Sequence, residues 1–326
     1  MVSIIIPVFN GGENFRRTLS SIKKHIDSTL ELIVVVDGGT DTSQQDARQF
    51  GAKVLELPDR GGPARARNRG AAIAQGDILF FVDADVTLHA DTLSQIQNIF
   101  GQQPDLAALI GSYDDAPGAT NFLSQYKNLF HHYTHQTAKV EASTFWGACG
   151  AIRREVFEAI GGFDEAYRFP SIEDIELGYR LRRAGYRIQL CKSVQVKHLK
   201  RWEIGSLLRA EFFYRALPWT ELLWRDRQLI NDLNLTTSNR LSVVFAFTGL
   251  FAGAIALWSP LFLGITLICV LFLLLMNQAV YLFFVRKRNL WFALQVIPWH
   301  WLYFLYSGLA FACGTVSYKL RQQKSG

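Results

Sequence analysis

Asp77-Ile78-Leu79-Phe80-Phe81-Val82-Asp83-Ala84-Asp85-Val86 is the stretch from which the fold can be read. Ile78 to Val82 is an unbroken apolar run without alternation, which suits a strand covered on both faces, as in a parallel sheet flanked by helices. Asp83 and Asp85 follow on either side of Ala84, so both carboxylates reach the carboxyl edge of the sheet, where open α/β sheets keep their ligand crevice. Hard oxygen ligands with nothing softer nearby suit Mg²⁺ or Mn²⁺, ions that keep several waters and are completed by substrate phosphates. A polar turn in which both aspartates only cap the backbone is the competing reading of D-x-D.

Upstream, strand and helix signals alternate. Val2 to Val8 is an apolar run closed by Asn10-Gly11-Gly12, after which Phe15, Leu19, Ile22 and Ile26 recur at helical spacing. Leu32 to Val36 predicts a second buried strand ending in Asp37-Gly38-Gly39-Thr40-Asp41, a helix follows from about Ser43 to Phe50, and Lys53 to Leu57 predicts a third strand. Such β-α-β alternation implies an α/β fold with a mostly parallel sheet and helices on both faces. A dinucleotide-binding oxidoreductase shares the pattern, but the first strand offers only Gly11-Gly12 in place of G-x-G-x-x-G. Gly61-Gly62-Pro63-Ala64-Arg65-Ala66-Arg67 opens the helix that feeds the Asp83 strand. Backbone N–H groups at that helix start, with Arg65 and Arg67, can meet a diphosphate, whereas a solvated basic face would leave both arginines in water.

Composition narrows the rest. The chain has 326 residues, 49% of them apolar, which excludes disorder and leaves room for more than one domain. Its net charge of +6 sits in the tail: no Asp or Glu follows Asp232, while Arg240, Arg286, Lys287, Arg288, Lys319, Arg321 and Lys324 do. That distribution argues for membrane anchoring and against a nucleic-acid partner. Cys149, Cys191, Cys269 and Cys313 are scattered and form no disulfide framework or C-x-x-C site, which fits a reducing compartment. Met1 to Pro7 enters a strand pattern at once and lacks a signal-peptide n-region, so the catalytic part is expected in the cytoplasm.

Ile4-Ile5-Ile6-Pro7-Val8-Phe9-Asn10, Val34-Val35-Val36-Asp37-Gly38-Gly39, Ala66-Arg67-Asn68-Arg69-Gly70 and Val82-Asp83-Ala84-Asp85 together resemble the nucleotide-binding half of family 2 glycosyltransferases, inverting enzymes of GT-A fold. Trp146-Gly147-Ala148-Cys149-Gly150, Gly161-Gly162-Phe163-Asp164-Glu165 and Glu173-Asp174-Ile175-Glu176-Leu177 extend the likeness to about His198. The resemblance implies a nucleotide-sugar donor, a UDP- or GDP-sugar, held by Pro7, Phe9, Asn10, Asp37, Arg65, Arg67, Asp83 and Ala84, with Asp37 near the base. It implies Asp83 and Asp85 on the divalent metal, joined by His198, and Asp174 as general base beside Glu173. Trp146 and Gly147 would face the acceptor. Ser171-Ile172-Glu173-Asp174 reads as a helix start, a place where acids meet the positive dipole end, and a helix cap is the other role open to Asp174. Processive polysaccharide synthases carry Q-x-x-R-W where this chain has His198-Leu199-Lys200-Arg201-Trp202, so single addition is preferred to polymer synthesis. A non-catalytic nucleotide-binding membrane scaffold is the rival from another class.

Asn121 to Lys139 predicts an amphipathic helix carrying His131, His132 and His135; the i, i+4 pair His131 and His135 lacks a third zinc ligand. Residues 1–200 are therefore expected to form the GT-A domain and 201–239 amphipathic juxtamembrane helices, whose aromatics beside arginines suit a bilayer surface or, equally, packing against the catalytic domain. Residues 240–326 are expected to form a multi-pass transmembrane region, with segments near 241–258, 261–285 and 290–318. The last segment is open between a crossing and a re-entrant hairpin. A lipid or glycolipid acceptor at the cytoplasmic face fits this organisation.

Overall fold

In β1 (Val2–Val8) consecutive isoleucines put branched side chains on both faces of a pleated strand, and both faces are buried. The computed structural model describes residues 1–25, 30–227 and 231–325. The helical stripe that follows β1 forms α1 (Gly12–Lys23) and buries Phe15, Leu19 and Ile22; Ile26 lies outside the described residues. β2 (Leu30–Asp37), α2 (Ser43–Gln49), β3 (Lys53–Leu57), α3 (Pro63–Ala72) and β4 (Ile78–Val82) continue the alternation. Then come β5 (Val86–Leu88), α4 (Thr92–Gln102), β6 (Ala108–Tyr113), α5 (Phe122–Thr137), β7 (Cys149–Arg153), α6 (Arg154–Ala159), α7 (Glu173–Arg183) and β8 (Ile188–His198). These elements make up the first of two compact units, Met1–Glu203.

The eight strands form one sheet in the order β3-β2-β1-β4-β7-β6-β8-β5. The expected parallel arrangement holds from β3 to β4. Beyond β4 the sheet is mixed: β7 runs antiparallel to β4 and β6, β5 runs antiparallel to β8, and β6 and β8 are parallel. β7 follows β6 through α5 and a long loop and enters in the opposite direction, so no crossover of fixed hand constrains it. Alternation along β1 and β4 splits the core. Ile4, Ile6, Phe80 and Val82 pack with α1 on one face, while Ile5 and Phe81 face the other. There Phe81 meets Phe145, Phe157 and Phe163 with ring centroids 5.1–6.1 Å apart. One consequence positions the site. Asp83-Ala84-Asp85 is the link by which the chain leaves β4 in the middle of the sheet for β5 at its edge.

The second unit, Ile204–Gly326, is helical. α8 (Ile204–Arg209), a π-helical segment (Ala210–Ala216) and α9 (Leu217–Asp226) precede α10 (Thr237–Ala256), α11 (Leu261–Met276), α12 (Gln278–Lys287) and α13 (Leu290–Ser325). Among the described residues only α10 is by itself long and apolar enough to cross a membrane; α11 and α12 reach that length as a pair bent by 57°. The expectation of three segments in a multi-pass region is therefore reduced to one candidate span and one bent pair. The bend falls at Asn277, whose buried amide donates to the Leu273 carbonyl at 2.9 Å and to Ser242 Oγ at 3.1 Å, competing with the helical ladder. Residues 290–318, open in the sequence between a crossing and a re-entrant hairpin, fall within one continuous helix that carries Pro298 inside it.

Candidate active site

The Asp83 strand end and the Glu173 helix start are joined by one arginine. Arg67, on α3, is buried, and its guanidinium donates to Asp83 Oδ1 at 2.7 Å and to Glu173 Oε1 at 2.8 Å. Burial opposes its charge, but Asp83 and Glu173 outweigh that and raise its pKa. Phe163 supports it, with the guanidinium carbon 5.4 Å from the ring centroid. Gly147 allows the close approach, because a Cβ there would lie 2.8 Å from Arg67 Cζ. Expected at the donor diphosphate, Arg67 instead spends two of its nitrogens inside the protein. Glu173 is buried and accepts also from the Ser171 N–H at 2.9 Å. Asp174 is half-buried, and its carboxylate accepts from the Gly147 N–H at 3.0 Å and the Ile175 N–H at 2.8 Å. The helix N-terminus thus orients the expected base without enclosing it.

Asp85 faces His198 across the β5–β8 ladder, where Val86 pairs with His198 and the Leu199 N–H donates to the Asp85 carbonyl at 2.8 Å. Asp85 Oδ2 and His198 Nε2 are 3.5 Å apart. Burial disfavours the Asp85 carboxylate, yet the charge and hydrogen bond of His198, with the charge of Lys200, hold its pKa below the usual range. His198 Nδ1 donates to Asn128 Oδ1 at 2.7 Å, so Nε2 is the nitrogen turned toward Asp85. The imidazole stacks on Tyr113 at 4.4 Å with the planes 4° apart.

At the opposite end of the crevice Asp37 is buried and binds the turn before α3, accepting from the Gly61 N–H at 2.9 Å and the Gly62 N–H at 2.7 Å. Gly62 has φ +94°, and a Cβ there would strike the Arg168 carbonyl at 2.4 Å, so only glycine fits. Asn10, at φ 51°, accepts from the Thr40 N–H at 2.8 Å and ties the end of β1 to the loop after β2. Pro7 lies in β1 opposite Val35. Phe9 is exposed, with the Arg60 guanidinium 3.9 Å from its ring centroid. Arg65 pairs with Asp59 at 3.0 Å. Ala84 accepts from Thr18 through its carbonyl at 3.0 Å. Trp146 is packed between Tyr113, His131 and His135, with centroids 4.7–5.1 Å away.

Residues 3–161 match the model of glycosyl transferase family 2, and residues 127–203 match the N-terminal domain of galactosyltransferase. The first unit carries a glycosyl transferase family 2 domain. The chain is 29% identical over 224 residues to the pre-mycofactocin glycosyltransferase of Mycobacterium tuberculosis, a match covering 65% of this chain and 46% of that one. It is 27% identical over 222 residues to the succinoglycan biosynthesis protein ExoA of Rhizobium meliloti, covering 65% of this chain and 67% of that one. The chain spans about half the length of the mycobacterial relative. The mannosyltransferase PcManGT of Pyrobaculum calidifontis, solved with GDP-Man and Mn²⁺, shares the fold with a TM-score of 0.52 at 18% identity, over 95% of this chain and 86% of that one.

Among the described residues, no three His, Cys, Asp or Glu side chains converge to hold an ion. Asp83 is turned to Arg67, whereas Asp85 and His198 face each other, so the expected trio is not drawn together as a closed cage. With Nε2 deprotonated, the Asp85 carboxylate and an imidazole fixed by Asn128, 3.5 Å apart, fit a hard cation that takes its remaining oxygens from a diphosphate and water. Sequence reasoning missed Asn128 and Arg60. Asn128 had a signal, since with His132 and His135 it puts polar residues on the buried face of α5 at i, i+4 and i+7. Those histidines are used locally. Nδ1 of His132 donates to the Tyr113 carbonyl at 2.6 Å, and Nδ1 of His135 donates to the Gly111 carbonyl at 3.0 Å.

Proposed function

We propose that this chain transfers a single sugar, with inversion, from a UDP- or GDP-sugar to a lipid or membrane-proximal acceptor at the cytoplasmic face. The observation that carries the reading is the Asp83–Arg67–Glu173 bridge, which ties the D-x-D link to the helix start bearing Asp174. It gives the donor edge and the base a common rigid anchor, and an inverting displacement needs the two on opposite sides of one anomeric carbon.

Asp85 and His198 would hold Mg²⁺ or Mn²⁺, which when bound offsets the charge that builds on the leaving diphosphate. Phe9 with Arg60 offers a stacking platform for a nucleobase, and Asp37 fixes the turn before α3. Asp174 accepts the proton of an attacking hydroxyl, its carboxylate oriented by Gly147 and Ile175. Trp146, beside Gly147, forms the acceptor wall. Solved relatives of the same fold that were crystallised with UDP-GlcNAc, or with GDP-Man and Mn²⁺, support the donor class and the metal. Arg286 and Lys287 at the end of α12 support a cytoplasmic placement by the positive-inside rule.

The test is to incubate the purified full chain in lipid with a panel of UDP- and GDP-sugars and Mn²⁺ and follow nucleoside diphosphate release. One donor should be turned over faster when a lipid acceptor is added. A panel in which no donor is bound or consumed contradicts the proposal.

A further inference from the structure

The arginines at the crevice are spent on the protein itself. Arg67 bridges Asp83 and Glu173, Arg65 pairs with Asp59 at 3.0 Å, and Arg60 lies on Phe9. Beyond His198, Lys197 binds Asp114 at 3.2 Å on one side and Arg201 binds Glu203 at 2.8 Å on the other. Lys200 between them is different. It is half-buried, and among the described residues its ammonium makes no ion pair or hydrogen bond. It lies instead over the Trp202 ring, 4.3 Å from the centroid.

The fold brings this cation to the D-x-D link. The Leu199 N–H donates to the Asp85 carbonyl at 2.8 Å, which carries the β5–β8 ladder one residue past His198. Lys200 therefore leaves the ladder next to Asp85, and its charge acts on that carboxylate. Trp202 straps the segment to the start of α5: its N–H donates to Ser124 Oγ at 2.7 Å, and its carbonyl accepts from Asn121 Nδ2 at 2.8 Å. The indole is 6% exposed, and its own Nε1 has no hydrogen-bond partner among the described residues, so the ring is held for its face rather than for a bond. A π face attracts an ammonium without taking up its three N–H donors, which stay available to another group.

We propose that Lys200 binds the outer phosphate of the sugar-nucleotide donor, the one that carries the sugar, and that Trp202 is the positioning residue that holds its ammonium there. The inference rests on the reading of the chain as a transferase and adds two residues to its donor site. Sheet order selects the phosphate. Phe9, Asn10 and Asp37 stand at the ends of β1 and β2, whereas Lys200 follows β8 on the other side of β4, so it meets the phosphate farther from the base. In the displacement the acceptor oxygen bonds to the anomeric carbon and the bond from that carbon to the outer phosphate breaks. The electron pair stays on the phosphate oxygen, and Asp174 takes the acceptor's proton. Lys200 keeps its own protons and offsets the growing negative charge through hydrogen bonds already aimed at it.

The experiment titrates UDP, UMP, GDP and GMP with Mn²⁺ into the protein and four variants by calorimetry. Whichever diphosphate the wild type binds, Lys200→Gln should weaken it about tenfold, the worth of one hydrogen bond to a charged group, and leave the matching monophosphate within about twofold. Lys200→Arg keeps the charge and stacks on an indole, so its diphosphate affinity should come within about threefold of wild type. Trp202→Phe keeps an aromatic face and should bind as the wild type does, whereas Trp202→Leu should show part of the diphosphate-selective loss. Monophosphate binding in each variant reports that the donor site is folded. Unchanged diphosphate affinity in Lys200→Gln, equal loss of mono- and diphosphate, or no recovery in Lys200→Arg would overturn the proposal, and unchanged affinity in Trp202→Leu would overturn the positioning role. Wild-type protein that binds neither diphosphate refutes the transferase reading itself; wild-type protein that binds one, with Lys200→Gln unaffected, refutes only this inference.

Discussion

Replacing Arg67 by methionine tests the bridge directly. The guanidinium holds Asp83 at 2.7 Å and Glu173 at 2.8 Å with 4% of its side chain exposed, and methionine refills most of the stem beside Phe163. Glu173, 5% exposed, keeps the Ser171 N–H but loses its cation, and a buried charge left alone costs about 3–5 kcal/mol. Asp83, 35% exposed, can turn to water, so its share is about 1 kcal/mol or less. Arg67→Met should therefore lower stability by about 3–5 kcal/mol, a large part of what a domain of this size possesses. The assay is hydrogen exchange across Met1–Glu203 in urea, which reads this unit apart from the helices that follow. The double variant Arg67→Met/Glu173→Leu removes the stranded charge as well and should recover about 2 kcal/mol or more relative to the sum of the single changes. A single-variant cost below about 1 kcal/mol, or strict additivity in the double variant, refutes the claim that the pair is a buried electrostatic bridge.

Asp85→Ala should abolish transfer while leaving the fold intact, with a modest loss of thermal stability because the pairing that lowers the Asp85 pKa is removed; wild-type turnover in that variant would remove Asp85 from the site. Asp174→Asn keeps shape and removes the basic oxygen, so for a hydroxyl acceptor the rate should fall about 10²- to 10⁴-fold with donor affinity held. A far smaller fall would point to an acceptor already ionised, and a parallel loss of donor affinity would make Asp174 a binding residue. Burial holds His135 at a pKa of about 4, against 6.5 for an exposed imidazole, while its bond to Gly111 only partly opposes that effect. The unfolded chain then takes up a proton below pH 6.5 that the folded chain refuses. This contribution is complete above pH 6.5 and declines by about 3 kcal/mol as pH falls toward 4. His135→Asn, which keeps a donor for Gly111, should flatten the decline in urea titrations, and an unchanged acid slope would show that other groups cause it.

Local pattern made much of the first unit legible. Val2 to Val8 and Ile78 to Val82 are strands within the bounds their apolar runs mark, because a strand buried on both faces needs little from its neighbours to be recognised, and Lys53 to Leu57 is a strand at the sheet edge within its expected bounds. β6 and β7 were not legible. Cys149-Gly150-Ala151 carries small side chains that become a strand only because β4 and β6 flank it, a non-local cause that no window of sequence contains. The D-x-D pair was visible by its position at a strand end, but its division of labour was not: Asp83 turns to Arg67 and Asp85 to His198, a choice made by residues 16 and more than 100 positions away. In the tail, charge pattern located the apolar stretches yet missed the break at Asn277, which depends on Ser242 from another helix.

Titration of UDP and of GDP into the protein with Mn²⁺, with excess chelator, and with Asp85→Ala bears most directly on the central claim. One nucleoside diphosphate should bind with Mn²⁺ and lose that affinity both in chelator and in the variant. Binding that is undiminished by chelator and by Asp85→Ala would contradict a metal-dependent donor site at the end of β4.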